Sequence, residues 1–143
     1  MPNIVNCAWA RDWSDYAPTF LRVATGLVFF MHGYQKLGMG VEGVAGFLTT
    51  LGFPMATAFA VILIAVEVVG GAALVLGLFT RTAAALSTIV AIVALLSVHL
   101  TNGFFVSNGG YEFILLILAA SFSLLVTGAG AYSLDRQFNT AQR

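Results

Sequence analysis

The chain is poor in charge: of 143 residues, six are Lys or Arg and six are Asp or Glu, giving a formal net charge of zero. It has neither a basic patch nor a run of one sign, so nucleic acid drops out as a partner. Cysteine is nearly absent. Cys7 stands alone, which leaves no internal disulfide and no CxxC pair, so thiol–disulfide chemistry by this chain alone is disfavoured. No set of cysteines or histidines is spaced as a metal or iron–sulfur ligand set. The first residues, MPNIVNCAWARDWSDYAP, lack a basic start, an apolar stretch and a small-residue cleavage site in that order, so no removable signal peptide is expected. Low-complexity segments and internal repeats are also lacking.

What the chain has in abundance is apolar surface. It is 59% hydrophobic, with a mean hydropathy of +0.95, too apolar for a soluble monomer, and reads as one small integral membrane unit. Four stretches, residues 19 to 37, 55 to 79, 82 to 100 and 111 to 128, approach or exceed the roughly 20 residues a helix needs to cross about 30 Å of hydrocarbon. Thr80 and Arg81 separate the second and third. Pro18 suits the first turn of a helix, and Gly109-Gly110 interrupts the chain before the fourth. The expected fold is all-α: an up-and-down four-helix bundle over residues 19 to 136, with a cytoplasmic tail at 137 to 143. In residues 1 to 18, Trp9, Trp13 and Tyr16 recur at helical spacing opposite Arg11, Asp12 and Asp15, the pattern of a short interfacial helix. Residues 41 to 53 are too short and glycine-rich to span and read as a second interfacial or re-entrant piece. Arg11, Arg22, Arg81, Arg136 and Arg143 fall on one side of such a bundle and Lys36 on the other. The positive-inside rule then places both termini in the cytoplasm.

Charge inside hydrocarbon is costly, so the ionisable residues in or beside the spans, Arg22, Lys36, Glu67, Arg81 and Glu112, carry the most information. Arg22, Gly26, Phe29, Gly33 and Lys36 step by four and three and share one stripe, with His32 beside it. Small residues on that stripe suit close helix contact. Counting about 1.5 Å per residue from the cytoplasmic end puts His32 and Glu67 about 18 to 20 Å up, and Lys36, His99 and Glu112 about 24 to 26 Å up. One polar cluster of His32, Lys36, Glu67, His99 and Glu112 is therefore expected in the outer half. A second group, Arg22, Arg81, Asp135 and Arg136, is expected at the cytoplasmic end as structural ion pairs or headgroup contacts.

Each candidate has a plainer alternative. Glu112 fits a first-turn acid favoured by the helix dipole as well as a proton carrier. Glu67 fits a structural pair with Lys36 as well as a proton carrier. His32 and His99 could together ligate a haem, but an interior histidine is more often simply hydrogen-bonded.

The ordered motifs Arg22…Gly26…His32-Gly33-Tyr34-Gln35-Lys36-Leu37, Glu67-Val68-Val69-Gly70-Gly71…Leu76-Gly77-Leu78-Phe79-Thr80-Arg81, His99…Asn102-Gly103-Phe104, Gly109-Gly110-Tyr111-Glu112 and Gly128-Ala129-Gly130-Ala131-Tyr132-Ser133-Leu134-Asp135 resemble those of the DoxX family of small bacterial membrane proteins. The resemblance covers about residues 20 to 136 and leaves residues 1 to 18 outside. It implies a four-helix inner-membrane protein, with relatives linked to quinone-coupled sulfur oxidation and to tolerance of quinones, catechols and oxidative stress. Any electron donor would be a separate subunit.

Three functions follow from these residues. In the first, the chain is a quinone-binding subunit of a redox assembly. His32, Lys36, His99 and Tyr111 contact the ligand, Glu67 and Glu112 carry protons, and Phe29, Phe30, Phe104 and Phe105 form apolar walls. The second is a carrier for a weak acid or phenolic compound, which would need a homo-oligomer to provide alternating access. The third is a scaffold holding soluble enzymes at the membrane. No covalently bound cofactor and no metal site is expected.

Overall fold

The computed structural model describes residues 13 to 141, with side chains to residue 138. Among the described residues the regular structure is all helical, without strands. Trp9, Arg11 and Asp12 of the expected interfacial helix, together with Cys7 and Arg143, lie outside the described residues. Residues 13 to 16 form a turn in which the Trp13 and Tyr16 rings meet at 5.4 Å.

The first helix, α1 (Ala17–Thr50), carries Pro18 in its opening turn, where a missing N–H costs nothing. It runs well past the expected end at residue 37. Gly40, at φ 73° and ψ 162°, bends it into two arms. This left-handed setting favours glycine, so the chain turns without ending the helix. The segment expected as a separate piece is thus the second arm of α1. Its Val44, Ala45 and Leu48 pack on Ala60 and Ile64 of the next helix, forming one of two apolar cores.

That next helix, α2 (Ala56–Leu76), includes a π-helical turn at Val66–Gly70. It ends at Gly77, φ 70°, where Gly77 N–H donates to Leu74 O and Leu78 N–H to Ala73 O. These paired bonds close a helix terminus with a left-handed glycine. The turn between the second and third spans is therefore Gly77–Phe79, two or three residues before the expected Thr80-Arg81. Helix α3 (Thr80–Asn102) starts at Thr80 and has a second π-helical turn at Leu95–His99. Helix α4 is Glu112–Thr127, and a short α5, Leu134–Ala141, occupies part of the expected tail.

α2 and α3 are each long and apolar enough to cross a membrane. α4 is apolar but has 16 residues, about 24 Å, and the first arm of α1 carries Arg22, His32 and Lys36. The second core, Leu74, Ala83, Ala84 and Leu124, joins α2, α3 and α4 toward the end of the bundle that holds the start of α1 and the segment after α4.

Candidate functional site

Glycine brings α1 against α2. A Cβ added to Gly26 would lie 2.7 Å from Gly71 O, one on Gly71 2.5 Å from Phe30 N, and one on Gly33 2.7 Å from Val68 N. Backbones this close admit no side chain between them. Along this seam Arg22, Thr25, Gly26, Phe29 and Gly33 are buried, and at its upper end Lys36 faces Glu67.

Lys36 Nζ donates to Glu67 Oε1 at 2.9 Å and stands 2.7 Å from Oε2. Glu67 retains 7% of its side-chain exposure and Lys36 20%. Oε2 receives no directional hydrogen bond: both short distances end on one ammonium, aligned with only one oxygen. A buried carboxylate therefore keeps acceptor capacity while held by a cation. It sits in the π-helical turn of α2, a widened turn often found at functional positions.

His32 lies at the edge of this pair, close enough to act on the Glu67 charge. Its ring is exposed, and Nδ1 is 2.8 Å from Val28 O. A carbonyl only accepts, so Nδ1 carries the proton, and in the neutral ring Nε2 is left as an acceptor. The structure thus brings together Lys36, Glu67 and His32.

It does not bring in His99 and Glu112, so the expected single outer cluster divides in two. His99 Nδ1 donates to Gly109 O at 2.7 Å, and Glu112 Oε1 accepts from Val106 N–H at 2.7 Å. Both side chains satisfy the folded loop at residues 103 to 111. There Tyr111 N–H donates to Gly103 O and Glu112 N–H to Phe104 O, and the Tyr111 ring meets Phe104 at 5.4 Å. Gly110 is the closing point: a Cβ there would lie 2.3 Å from Gly103 O. The physical reason for the division is local demand, since loop N–H and C=O groups claim the nearest polar side chains. An apolar groove of about 380 Å³, lined by Phe104, Val106, Glu112, Phe113, Leu115 and Leu116, runs beside this loop.

At the opposite end Arg22 and Arg81 contact carbonyls, and Asp135 contacts backbone N–H groups, where ion pairs were expected. Arg22, 1% exposed, donates to Leu74 O at 2.7 Å, to Val75 O, and to Ala129 O and Tyr132 O at 3.2 Å each. Asp135 acts on it through space but spends its oxygens on the N–H groups of Phe79 (2.7 Å) and Thr80 (2.8 Å), capping α3. Arg81 donates to Leu125 O at 2.8 Å. Helix ends leave carbonyls and N–H groups unpaired, and a five-donor guanidinium or an acceptor-only carboxylate fits that need directly. Arg136 is exposed on α5, and its N–H donates to Ser133 Oγ at 3.3 Å.

Among the described residues no group of three or more His, Cys, Asp or Glu is placed to hold a metal ion. Three buried hydroxyls escaped the reading of the sequence. Thr80, Ser87 and Ser121 are at most 1% exposed, and their hydroxyl oxygens have no hydrogen-bond partner in the protein. The signal was present in the seven-residue step from Thr80 to Ser87, which keeps both on one helix face.

The DoxX family profile matches residues 17 to 100, ending before the loop and C-terminal motifs on which the sequence resemblance also drew. A Bacillus subtilis (strain 168) protein named "Putative oxidoreductase CatD" is 36% identical over 115 residues, 80% of this chain and 81% of the relative. The "Inner membrane protein YphA" of Escherichia coli (strain K12) is 35% identical over 134 residues, 88% of this chain and 95% of the relative. No solved structure matches. With a profile spanning more than half of its length and relatives aligned over most of theirs, this chain belongs to the DoxX family of membrane proteins.

Proposed function

We propose that the chain is a multi-pass inner-membrane subunit of a quinone-linked redox assembly, with the Lys36–Glu67 pair as its ligand and proton site. The observation that carries this reading is a carboxylate buried between α1 and α2, salt-bridged, with one oxygen lacking a directional hydrogen bond. The donor set suits a quinone. Lys36 has three N–H donors and directs them at one carboxylate, leaving capacity for a ligand carbonyl. In its neutral form the His32 ring would present Nε2 as an acceptor for a quinol hydroxyl. A bound quinone would supply two-electron chemistry coupled to protons. The residues of this chain would orient the ring, exclude water from it and hold a proton on Glu67. Separate subunits would donate the electrons. The names of the two relatives, an oxidoreductase and an inner membrane protein, agree with this assignment.

The same contacts support that topology. Arg22 and Asp135 tie the start of α1, the α2–α3 turn and the segment after α4 into one end of the bundle, which agrees with an even number of crossings between the two ends of the described chain. Arg22, Arg81 and Arg136 lie at that end, which the positive-inside rule places in the cytoplasm.

The test is binding of a short-chain quinone analogue to the purified protein in lipid nanodiscs, with turnover in membranes carrying the whole assembly. Glu67→Gln should weaken binding at least tenfold and abolish quinone-dependent turnover while the protein stays folded. Wild-type binding and turnover in that variant would reject the role. A second reading, a scaffold in which the pair only packs α1 on α2, draws on the direct 2.7 Å contact. It requires quinone binding to be absent from the wild type as well.

A further inference from the structure

The described residues contain three buried hydroxyl oxygens without a hydrogen-bond partner in the protein, Thr80 Oγ1, Ser87 Oγ and Ser121 Oγ, beside Glu67 Oε2, whose one close contact is the Lys36 ammonium at 2.7 Å. Native proteins rarely bury orphan polar groups, and those they do bury commonly bind internal water. Other hydroxyls in the same helices behave differently. Thr88, next to Ser87, returns its hydroxyl to Ala84 O at 2.7 Å, as Thr49 does to Ala45 O and Thr127 to Ser123 O, both at 2.8 Å. Ser87 and Ser121 make no such bond to the turn behind them.

Helical rise orders the three hydroxyls along the bundle. Leu74, Ala83, Ala84 and Leu124 share a core, which fixes the level of α2, α3 and α4 relative to one another. One turn further along α3 is Ser87, and one turn back along antiparallel α4 is Ser121, so the two serines stand at the same height. Thr80 lies two turns below Ser87, about 10 Å, at the end of the bundle where Asp135 caps α3. On α2 one turn back from Leu74 reaches Gly70 and Gly71, and one more reaches Glu67, about 5 Å above the serines. Helix α3 packs against the π-helical turn that holds Glu67, and a Cβ on Gly70 at that step would meet nothing nearer than Val66 Cγ1 at 3.9 Å.

We infer that Thr80, Ser87 and Ser121 bind a file of water molecules between α2, α3 and α4, leading from the end of the bundle that holds the described termini to Glu67. Each hydroxyl can donate once and accept twice, so the three can hold and orient water where the walls are otherwise apolar. Such a file delivers protons toward Glu67. That role rests on the proposed function, whereas the presence of the water does not.

Two measurements test it. In a Cys7→Ser background, Ser87→Cys and Ser121→Cys each introduce one thiol, whose S–H infrared band shifts when deuterium replaces the proton. On transfer to deuterated buffer these thiols should exchange at least a hundredfold faster than that of Val44→Cys, which is placed in the dry core of α1 and α2, where Val44 is 1% exposed. Exchange as slow as at position 44 would overturn the inference. Independently, Ser87→Ala/Ser121→Ala should lower Tm, because alanine removes the partners of bound water. A raised Tm would mean that the hydroxyls are dry and unpaired, and would also overturn it. Neither readout uses quinone, so failure here leaves the Glu67→Gln test of the proposed function untouched.

Discussion

Gly33 and Glu67 are in backbone contact across two helices: a Cβ on Gly33 would stand 2.9 Å from the Cβ of Glu67 and 2.7 Å from Val68 N. The acid of the candidate site is therefore held where the two helices pack too closely to admit a side chain at position 33. Lys36, one turn beyond Gly33, reaches it only because the two helices approach this far.

Gly33→Ala should push α1 off α2. Overpacking of this kind costs about 1 to 3 kcal/mol, visible as a lower Tm in detergent or nanodiscs. The same displacement should weaken binding of a quinone analogue, since it draws Lys36 away from Glu67. Gly38→Ala meets no atom within 4 Å and should leave both measurements near wild type.

Arg22→Lys should destabilise the protein by about 3 kcal/mol, measured by reversible denaturation. Lysine keeps the charge but cannot present a planar fork to four carbonyls on two segments. Arg81→Lys should cost much less, because Arg81 is exposed and donates to a single carbonyl.

Removing the cap of α3 by Asp135→Ala leaves the N–H groups of Phe79 and Thr80 without their carboxylate acceptor. The expected loss is about 1 kcal/mol. Faster amide hydrogen exchange in the first turn of α3 would locate it.

How much of this was legible in the sequence depends on the range of the interaction involved. The helices follow from apolar runs, and the Lys36–Glu67 meeting follows from helical phase, since both are local patterns. The bend at Gly40 was hidden because a glycine within an apolar stretch can end a helix or merely turn it, and packing of Val44 and Leu48 on Ile64 decides between them. His99 and Glu112 were assigned to the wrong neighbours for a related reason. Loop backbone groups only a few residues away claim their side chains. Arg22 looked like half of an ion pair because sequence shows charges and does not show unpaired carbonyls. The π-helical turn under Glu67 had no signal at all in the letters.

Loop closure gives a further prediction. Gly110→Ala cannot fit against Gly103 O, so residues 103 to 111 should become accessible to limited proteolysis while the Tm of the bundle changes little.

The most direct test of the central claim replaces both members of the pair at once. In Lys36→Met/Glu67→Met the charges go and the volume stays, a change that leaves stability equal or raises it by a few kcal/mol when an ion pair is buried. The account predicts a protein that folds and assembles with at least wild-type stability, yet neither binds the quinone analogue nor supports quinone-dependent turnover. Wild-type binding and turnover in this folded double variant would contradict it.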